Sequence, residues 1–324
     1  MLVRLDLDLP LNHGKFDTTR MEDSFATLAY LWRNKAKHVT VIAHRGHDVK
    51  PTKQFSLEPI AVLLYKKLLT VKTFKKVKED ELKKWLDVLE NLRFDPREEE
   101  GNMKFAKELA KGQDLFVNEA FATSHREHTS IVDLPKLLDT VFGFQFEKEM
   151  VVMKKLTETP KRPFIFVLGG AKLETKMPLL EKITDHVEVV LLGGKLAAEA
   201  EAMGYKNRKT ILAKTAEDGM DITLPSMEQF SRFILEAKTL VWNGPMGKYE
   251  DSKHMEGTKY VAEAVARAGG YRVIGGGDTE AALSLLKIDE EKSFNHVSSG
   301  GGALLHYLAY HTLPAIDAVR PSQS

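Results

Sequence analysis

The sequence predicts an α/β fold in which two doubly wound parallel-sheet domains are joined by a helical hinge. Strand patterns alternate with helical patterns, and the alternation restarts after a strongly helical segment at residues 144–159 that ends at Pro160. Most strand patterns of the second half are followed by a glycine-containing loop. Because loops after parallel strands meet at one edge of a sheet, these loops predict a ligand site there.

The helical hinge divides the chain into three parts. We expect an N-terminal domain at residues 1–147, a C-terminal domain at residues 148–303 and a tail at residues 304–324. The tail is apolar and helical at first and then contains Leu313-Pro314, which ends the helical pattern.

In the first half, residues 2–9 alternate apolar and charged side chains, which predicts a strand with Arg4, Asp6 and Asp8 on one face. A helix carrying Phe25 and Leu28 follows. Further strands are predicted at residues 38–43, 88–94 and 115–118, with a helix at residues 103–110. The lysine-rich residues 66–84 predict a solvated surface with one helix and no assigned function.

The second half repeats the alternation of strands and helices. Strands are predicted at residues 164–168, 187–192 and 239–242 and in the apolar residues before Gly275. Helices are predicted at residues 176–183, 195–203, 227–236 and 257–268. Residues 205–224 are predicted to be short and irregular.

Composition narrows the class of protein. Lys and Arg number 47 against 46 Asp and Glu, so the overall charge does not indicate a polyanionic partner. The chain has no cysteine, which excludes disulfides and thiolate chemistry. Early charges at Arg4 and Asp6 do not suit a signal peptide, and no apolar run is long enough to span a membrane. We expect a cytoplasmic monomer whose partners are small molecules, with no nucleic acid and no membrane.

Polar side chains of the first half collect where strand patterns end. Guanidinium groups bind phosphate and carboxylate oxygens bidentately, so four arginines on such loops predict a pocket for a small, strongly anionic substrate. His125 and His128 are three residues apart and would share a helix face, but no third metal ligand lies nearby. The full set is Arg4, Asp6, Asp8, Arg20, His44, Arg93, His125 and Arg126.

The second half offers bare backbone amides. Val273-Ile274 leads into Gly275-Gly276-Gly277 and then into a helix that begins with Asp278 and Thr279, which predicts an anion site at a helix N-terminus. A carboxylate at Asp278 suits a phosphate that carries Mg²⁺. Neither the Walker A motif nor the dinucleotide fingerprint is present. Two anion sites on two domains indicate phosphoryl transfer across a cleft.

No dedicated general base is evident among the arginines. A kinase that acts on an alcohol needs such a base, whereas a carboxylate acceptor is already ionised at pH 7. The residues therefore favour an acyl phosphate, with catalysis by positioning and charge neutralisation.

Seven motifs, in order along nearly the whole chain, resemble those of phosphoglycerate kinase. They are residues 4–10 (RLDLDLP), 90–94 (ENLRF), 118–126 (NEAFATSHR), 169–172 (GGAK), 242–247 (WNGPMG), 275–279 (GGGDT) and 298–302 (SSGGG). The resemblance implies reversible transfer between 1,3-bisphosphoglycerate with ADP and 3-phosphoglycerate with ATP, with Mg²⁺. It also implies hinge-bending closure and a tail that folds back on the first domain.

The resemblance also assigns residues. It places Arg20 nearest the transferring phosphoryl group, Lys172 on the nucleotide side of that group, and Asp278 at the metal. It implies catalytic roles for Arg20, Lys172, Gly276 and Gly301, and substrate binding by Arg4, Asp6, Asp8, Arg20, His44, Arg93, His125 and Arg126. Nucleotide binding is implied for Gly169, Gly170, Ala171, Lys172, Lys176, Gly193, Gly194, Asn243, Pro245, Gly247, Glu250, Gly275, Gly276, Gly277, Asp278 and Thr279.

The chain departs from the family pattern at several positions. Asp8 stands where the family has Asn, and Glu119 where it has Asp. His44-Arg45-Gly46-His47 replaces His-Leu-Gly-Arg, so either Arg45 or His47 would take the place of the missing substrate arginine. The C-terminal domain is also shortened between residues 195 and 238, where the family has a further strand and part of the adenine pocket. This deletion predicts relaxed nucleobase selectivity.

Two other functions remain open from the sequence. The first is a phosphoglycerate-kinase-like binding module without catalysis, although Arg20, Lys172 and Asp278 are all retained. The second is a kinase for another small phosphorylated carboxylic acid, which His47 and Asp8 would suit.

Overall fold

The computed structural model describes residues 1–12, 14–46, 50–171 and 173–319. The chain forms two compact units, each built around its own sheet. The first consists of Met1–Met150 together with the chain from Thr312, and the second is Val151–His311. Both main sheets are parallel throughout, which confirms the predicted fold class.

The first unit contains a five-stranded sheet in the order β5-β4-β1-β6-β7 and a small antiparallel pair, β2-β3. The strands are β1 (Leu2–Arg4), β2 (Leu11–Asn12), β3 (Lys15–Phe16), β4 (Val39–Ile42), β5 (Leu86–Val88), β6 (Phe116–Asn118) and β7 (Thr140–Phe142). The helices are α1 (Thr19–Asp23), α2 (Phe25–Arg33), α3 (Glu58–Leu68), α4 (Glu79–Trp85), α5 (Met103–Ala110) and the connecting α6 (Phe144–Glu158).

Successive side chains of β1 point to opposite faces of this sheet and contribute to two different parts of the core. Val3 packs in a cluster with Leu28 of α2 and Leu64 of α3, whereas Leu2 packs with Phe105 of α5. Both faces are covered, so the strands are buried on both sides, as parallel strands usually are. Arg4 has the same parity as Leu2 and is also buried.

Three predicted elements of this unit were wrong in extent. The strand predicted at residues 2–9 ends at Arg4, because the chain runs past the sheet edge while Leu5, Leu7 and Leu9 remain buried. The strand predicted at residues 88–94 ends at Val88, and a 3₁₀ turn, Leu92–Phe94, follows. Residues 66–84 contain the ends of two helices, α3 and α4, rather than one helix.

The second unit contains a six-stranded sheet in the order β10-β9-β8-β11-β12-β13. The strands are β8 (Phe164–Leu168), β9 (Val189–Leu192), β10 (Thr210–Leu212), β11 (Thr239–Asn243), β12 (Tyr271–Gly275) and β13 (His296–Ser298). The helices are α7 (Leu173–His186), α8 (Gly194–Ala202), α9 (Leu224–Glu236), α10 (Glu256–Arg267), α11 (Gly277–Leu285), α12 (Glu290–Ser293) and α13 (Gly301–Tyr310).

Strand β10 lies in residues 205–224, which were predicted to be irregular, so that prediction was wrong in part. It pairs with β9 in parallel, with Thr210 opposite Val190. It is a three-residue edge strand whose residues are only half buried. Such a strand needs no long apolar run, so the periodicity of the sequence does not reveal it.

The last part of the chain is divided between the units. Helix α13 belongs to the second unit and packs against α7. The short helix α14 (Pro314–Asp317) belongs to the first unit, where the Ala315 amide donates to the Ser124 carbonyl oxygen at 3.1 Å. The structure therefore divides the chain at residues 311 and 312, later than the predicted 303 and 304. Within the described ranges, no helix is both long and apolar enough to cross a membrane.

Helix α6 leaves the first unit from an anchored first turn. Glu119, at the end of β6, is 3% exposed and accepts hydrogen bonds from Thr27 Oγ1 at 2.5 Å and from the amides of Gln145 and Phe146 at 3.2 and 3.3 Å. A Cβ at Gly143 would meet this carboxylate, so a side chain there would displace it. Burial raises the pKa of Glu119 to about 7 despite these donors.

We predict that Glu119→Gln removes part of the pH dependence of stability. The ordinary pKa of a glutamate is 4.5. Because the pKa of Glu119 is higher in the folded chain, the stabilisation from its protonation is fully present below pH 4.5 and is lost as the pH rises through about 7. The loss relative to the variant should reach about 3 kcal/mol. Urea unfolding at about pH 5 and about pH 8 measures it.

The matched control is Glu147→Gln, an exposed position in the first turn of the same helix. In this control, the free energy of unfolding should change between about pH 5 and about pH 8 by as much as it does in the wild type. If Glu119→Gln also showed the full wild-type change, the prediction would be contradicted.

Candidate functional site

Arg4 provides a buried cation at the carboxyl edge of the first sheet. It ends the central strand β1 and is fully buried. Its Nε donates to Ser130 Oγ at 2.8 Å, one terminal nitrogen donates to Thr123 Oγ1, and the other lies 3.1 Å from His44 Nδ1. Burial lowers the pKa of Arg4 to about 10, so the guanidinium is charged at pH 7.

A buried carboxylate lies behind Arg4. Glu98 is fully buried and accepts hydrogen bonds from the Ser130 hydroxyl at 2.5 Å and the Ser130 amide at 3.0 Å. Ser130 thus links Glu98 to Arg4, and this pairing offsets the cost of burying both charges. Burial raises the pKa of Glu98, while Arg4 opposes that shift. The sequence analysis missed both residues, since Glu98 lies in an acidic run that is typical of a solvated loop.

Two histidines of this region are neutral. His44 is 4% exposed, and its pKa is well below the usual value because of burial and then of the cations Arg4, Arg93 and Arg126. Burial, followed by the same arginines, lowers the pKa of His128 to about 3. Their ring centroids lie 6.5 Å apart. At pH 7 both imidazoles are therefore neutral, and His44 accepts a hydrogen bond from Arg4.

Arg93 joins this set from a 3₁₀ turn. The Asn91 side chain accepts from the Arg93 amide at 3.2 Å and so caps the turn. The Arg93 guanidinium donates to the Gly46 carbonyl oxygen and pairs with Glu99 at 2.8 Å. Its charge contributes to the lowered pKa values of Arg4 and His44, which places it in the same cluster.

Arg20, Asp6 and Asp8 form a less buried group. The Arg20 guanidinium lies 3.7 Å from Asp6, and the Asp8 carboxylate accepts from the Gly46 amide at 2.9 Å. Burial raises the pKa of Asp6, and Arg20 opposes that shift. Arg20 is partly exposed, so its guanidinium is available to a ligand.

Of the two residues that could replace the missing arginine, only Arg45 is described. Its guanidinium donates to the Ser56 carbonyl oxygen at 3.2 Å and lies over the Phe16 ring, 4.9 Å from the centroid. These contacts hold it in a different place from the cluster around Arg4. His47 lies outside the described residues.

His125 and Arg126 follow the 3₁₀ turn Phe121–Thr123 and are half-buried. His125 and His128 do not share a helix face, because the chain between them is not helical. In the part of the chain that the structure describes, no three metal-ligating side chains come together. Burial is the main cause of the lowered pKa values of Arg4, His44 and His128, and the charge of Arg126 adds to each shift, which groups Arg126 with this cationic cluster.

The glycine loops of the second unit pack directly on one another. A Cβ at Gly169 would meet the carbonyl oxygens of Gly244 and Pro245, and one at Gly301 would meet the Gly276 backbone. Gly244 and Gly276 also have positive φ values of 91° and 104°. The Gly170 amide donates to the Pro245 carbonyl oxygen at 2.8 Å. Close approach therefore requires glycine at these positions.

Three side chains hold these loops in place by hydrogen bonds. Asn243, which is 6% exposed, donates to the Gly275 carbonyl oxygen at 2.7 Å. The Thr279 hydroxyl accepts from the Gly244 amide at 2.8 Å. Thr258, which the sequence analysis missed, accepts from the amides of Met246 and Gly247 at 3.0 and 3.2 Å. A helical threonine gives no pattern that separates this role from ordinary packing.

Helices α8, α11 and α13 begin next to these loops, at Gly194, Gly277 and Gly301. Their N-terminal amides and dipoles favour an anion at the same edge. Lys176 donates to the Gly169 carbonyl oxygen at 3.1 Å, and its pKa is lowered by burial, with Asp278 opposing the shift. Lys172 lies outside the described residues.

The remaining predicted nucleotide contacts lie at this edge as well. Ala171, Gly277, Asp278 and Glu250 are exposed, so their surfaces are open to a ligand. Gly193 and Gly275 are buried. The second unit thus presents bare amides, one lysine and one carboxylate at the ends of neighbouring strands.

Guanidinium groups suit a small multiply charged anion, and bare amides suit the phosphates of a nucleotide. A protein with one such edge on each of two parallel-sheet units falls in the class of two-domain α/β phosphotransferases. Comparison with known proteins is more specific. The model of the family "Phosphoglycerate kinase" matches residues 1–215 and 197–310, and the chain belongs to this family. The resemblance found in the sequence is thereby confirmed.

Individual relatives agree over the whole length. The chain is 33% identical to the phosphoglycerate kinase of Finegoldia magna and 32% identical to that of Thermomicrobium roseum, covering 98% of this chain and 95% of each relative. Among solved structures, phosphoglycerate kinase from Coxiella burnetii matches with a TM-score of 0.78 at 29% identity, again over 98% of this chain and 95% of that one.

The chain is nevertheless shorter than these relatives. The alignment with the Finegoldia magna enzyme runs over 380 positions, which exceeds the 324 residues of the chain by 56. The family model matches in two pieces that overlap at residues 197–215.

We predict that Gly301→Ala destabilises the second unit. The added methyl group would meet the Gly276 backbone and the Asn243 amide, neither of which can move without breaking the contact between loops. The free energy of unfolding should fall by about 1–3 kcal/mol, the usual range for overpacking. Urea unfolding measures it.

Gly269→Ala is the control, because a Cβ there meets nothing within 4 Å and its φ is not positive. It should leave the stability nearly unchanged. Equal effects of the two substitutions would refute the role of close packing at Gly301.

Proposed function

We propose that the protein catalyses reversible phosphoryl transfer between 1,3-bisphosphoglycerate with ADP and 3-phosphoglycerate with ATP, the phosphoglycerate kinase reaction of glycolysis. The proposal rests mainly on two groups of residues in a chain that belongs to this family. Arginines cluster at the carboxyl edge of the first parallel sheet, and closely packed glycine loops lie at the carboxyl edge of the second.

The first unit would bind 3-phosphoglycerate. Arg20 and Arg126 are partly exposed and would contact its anionic groups, whereas Arg4 is buried and would contribute its charge from behind. His44 is neutral and would act through hydrogen bonding. The other proposed substrate residues are Asp6, Asp8, Arg93 and His125, with Arg45 or His47 in place of the missing arginine. The contacts of Arg45 with Phe16 and Ser56 favour His47.

The second unit would bind the nucleotide. We propose that the loops Gly169-Gly170-Ala171, Gly193-Gly194 and Gly275-Gly276-Gly277, with Thr279, supply amides for the phosphates. Lys172 and Lys176 would neutralise their charge, and Pro245, Gly247 and Glu250 would lie towards the nucleoside. The Asn243 amide already bonds to the Gly275 carbonyl oxygen, so its role would be to hold the loops in place.

The residues present fit a magnesium ion. Mg²⁺ keeps several waters and takes one or two carboxylates together with substrate phosphates. Asp278 is an exposed carboxylate in the first turn of α11, close enough to Lys176 to oppose the fall in that lysine's pKa. We propose that Asp278 holds Mg²⁺, which when bound neutralises charge on the nucleotide phosphates.

No general base is needed for this reaction, since the acceptor carboxylate is ionised at pH 7. The protein would act by positioning and by stabilising charge in the transition state. Arg20 would contact the transferring group from the substrate side, Lys172 from the nucleotide side, and the amides of Gly276 and Gly301 would stabilise its oxygens. The cytoplasm and a monomeric state are the setting that we propose for it.

We predict that the purified protein forms ATP from ADP and 1,3-bisphosphoglycerate, and that Arg20→Ala lowers kcat/KM by about 10³-fold, because one charge-stabilising group is worth that order. A coupled spectrophotometric assay measures both. Arg33→Ala, an exposed arginine of helix α2, is the control and should leave the rate unchanged.

Two results would contradict this function, and a third would contradict only the role of Arg20. Nucleotide binding without turnover would indicate the binding module. Turnover only with another phosphorylated carboxylic acid would indicate the alternative kinase. An unaltered rate in Arg20→Ala would remove that residue from the mechanism.

We further propose relaxed nucleobase selectivity, supported by the shorter chain and by the two-piece match at residues 197–215. The phosphate-binding loops are complete, so phosphates should dominate nucleotide affinity. The values of kcat/KM for ADP, GDP and IDP should agree within about tenfold, which is a difference of about 1.4 kcal/mol. Competition assays measure the ratios, and an ADP preference as strong as in a full-length relative would contradict the prediction.

A further inference from the structure

A small hairpin begins at the end of residues 197–215, over which the two pieces of the family match overlap. Residues 214–223, here called the 214–223 hairpin, lie between β10 and α9. Thr215 pairs with Ile222 in an antiparallel bridge, and the Ala216 amide donates to the Asp221 carbonyl oxygen at 2.8 Å. The Thr223 amide closes the hairpin on the Lys214 carbonyl oxygen, also at 2.8 Å.

The hairpin presents one buried carboxylate. Asp221 is 7% exposed and accepts from the Gly257 amide at 2.9 Å, at the start of α10, and from the Ile222 amide at 2.8 Å. A Cβ on either Gly247 or Gly257 would meet this carboxylate. Asp221 therefore lies between the end of the loop that follows β11 and the beginning of the next helix.

Two further contacts join the hairpin to the same segment. The Lys248 amide donates to the Met220 carbonyl oxygen at 2.8 Å. His254 lies between two carboxylates, with Nε2 at 2.8 Å from Asp218 and Nδ1 at 3.0 Å from Asp251. The hairpin thus holds residues 247–257 at the backbone and through side chains.

The segment that it holds leads to the proposed nucleoside contact. Glu250 is exposed and follows Lys248 by two residues. Tyr249 lies between them, and its pKa is raised by burial and then by Asp278 and Glu250, so the segment runs beside the phosphate loop. Any change in the position of Lys248 would move Glu250 relative to Asp278.

We propose that Asp221 is a positioning residue for the nucleotide: through Gly247 and Gly257 it holds residues 247–250 where the nucleoside binds. The proposal rests on the proposed function, because it takes residues 247–250 as nucleotide contacts. Asp221 itself is buried and touches no ligand.

Steady-state kinetics and calorimetry test this role. In Asp221→Ala we expect the KM and Kd for ADP to rise about tenfold, a loss of about one well-placed interaction, while kcat and the KM for the phosphoglycerate substrate stay within about twofold. Asp221→Asn keeps an oxygen that can accept from Gly257 and should recover most of the ADP affinity. Glu217→Gln, exposed on the same hairpin, is the matched control and should match the wild type.

Hydrogen exchange at the amides of Lys248 and Gly257 provides a second measurement. Exchange should be much faster in Asp221→Ala and, because a neutral oxygen accepts more weakly than a carboxylate, slightly faster in Asp221→Asn, which remains measurable if Asp221→Ala fails to fold. Faster exchange there, with unchanged exchange in the first unit, supports the proposal. Unchanged ADP affinity, or equal losses for both substrates, would overturn it. Calorimetric binding of ADP tests Asp221 even if the wild type lacks turnover, so failure of the proposed function is a separate result.

Discussion

The second unit depends on backbones that approach more closely than side chains allow. Gly169 lies against Gly244, and Gly276 against Gly301, so four loops from different strands share one compact edge. Each contact removes room for a Cβ, and Asn243 and Thr279 supply the hydrogen bonds that keep the loops in register. The amides left over can face a ligand because the rest of the edge is already satisfied. The phosphate affinity that we propose for this edge would therefore follow from packing as much as from charge.

In the first unit the main physical constraint is different, because several cationic side chains lie close together. The positive charges of Arg4, Arg93 and Arg126 repel one another. Burial first and these charges second lower the pKa values of His44 and His128. Glu98 offsets part of that cost from the buried side, through Ser130. The two neutral imidazoles fill space without adding charge, and His44 accepts a hydrogen bond from Arg4. A strong anion would therefore meet fixed positive charge that needs little reorganisation.

The fold class could be predicted, and two sets of candidate ligand residues could be proposed, because both leave periodic or compositional signals in the sequence. Buried parallel strands appear in the sequence as continuous apolar runs, and loops whose backbones must approach each other closely contain glycine. Strand β10 leaves no such signal, since an edge strand of three half-buried residues satisfies its geometry with mixed side chains. Glu98 and Asp221 were missed for a related reason. The sequence does not show whether an acidic residue is solvated or buried. Only the tertiary contacts of Glu98 with Ser130 and of Asp221 with Gly257 show that these two residues are buried and hydrogen-bonded.

The anchor of helix α6 has a calorimetric consequence. Because burial raises the pKa of Glu119 to about 7, the folded chain binds a proton there that the unfolded chain releases, over the range between an ordinary glutamate pKa and neutrality. Unfolding near pH 6 thus transfers a proton to the buffer. The heat of unfolding then includes the protonation enthalpy of the buffer and differs between phosphate and imidazole solutions of equal pH.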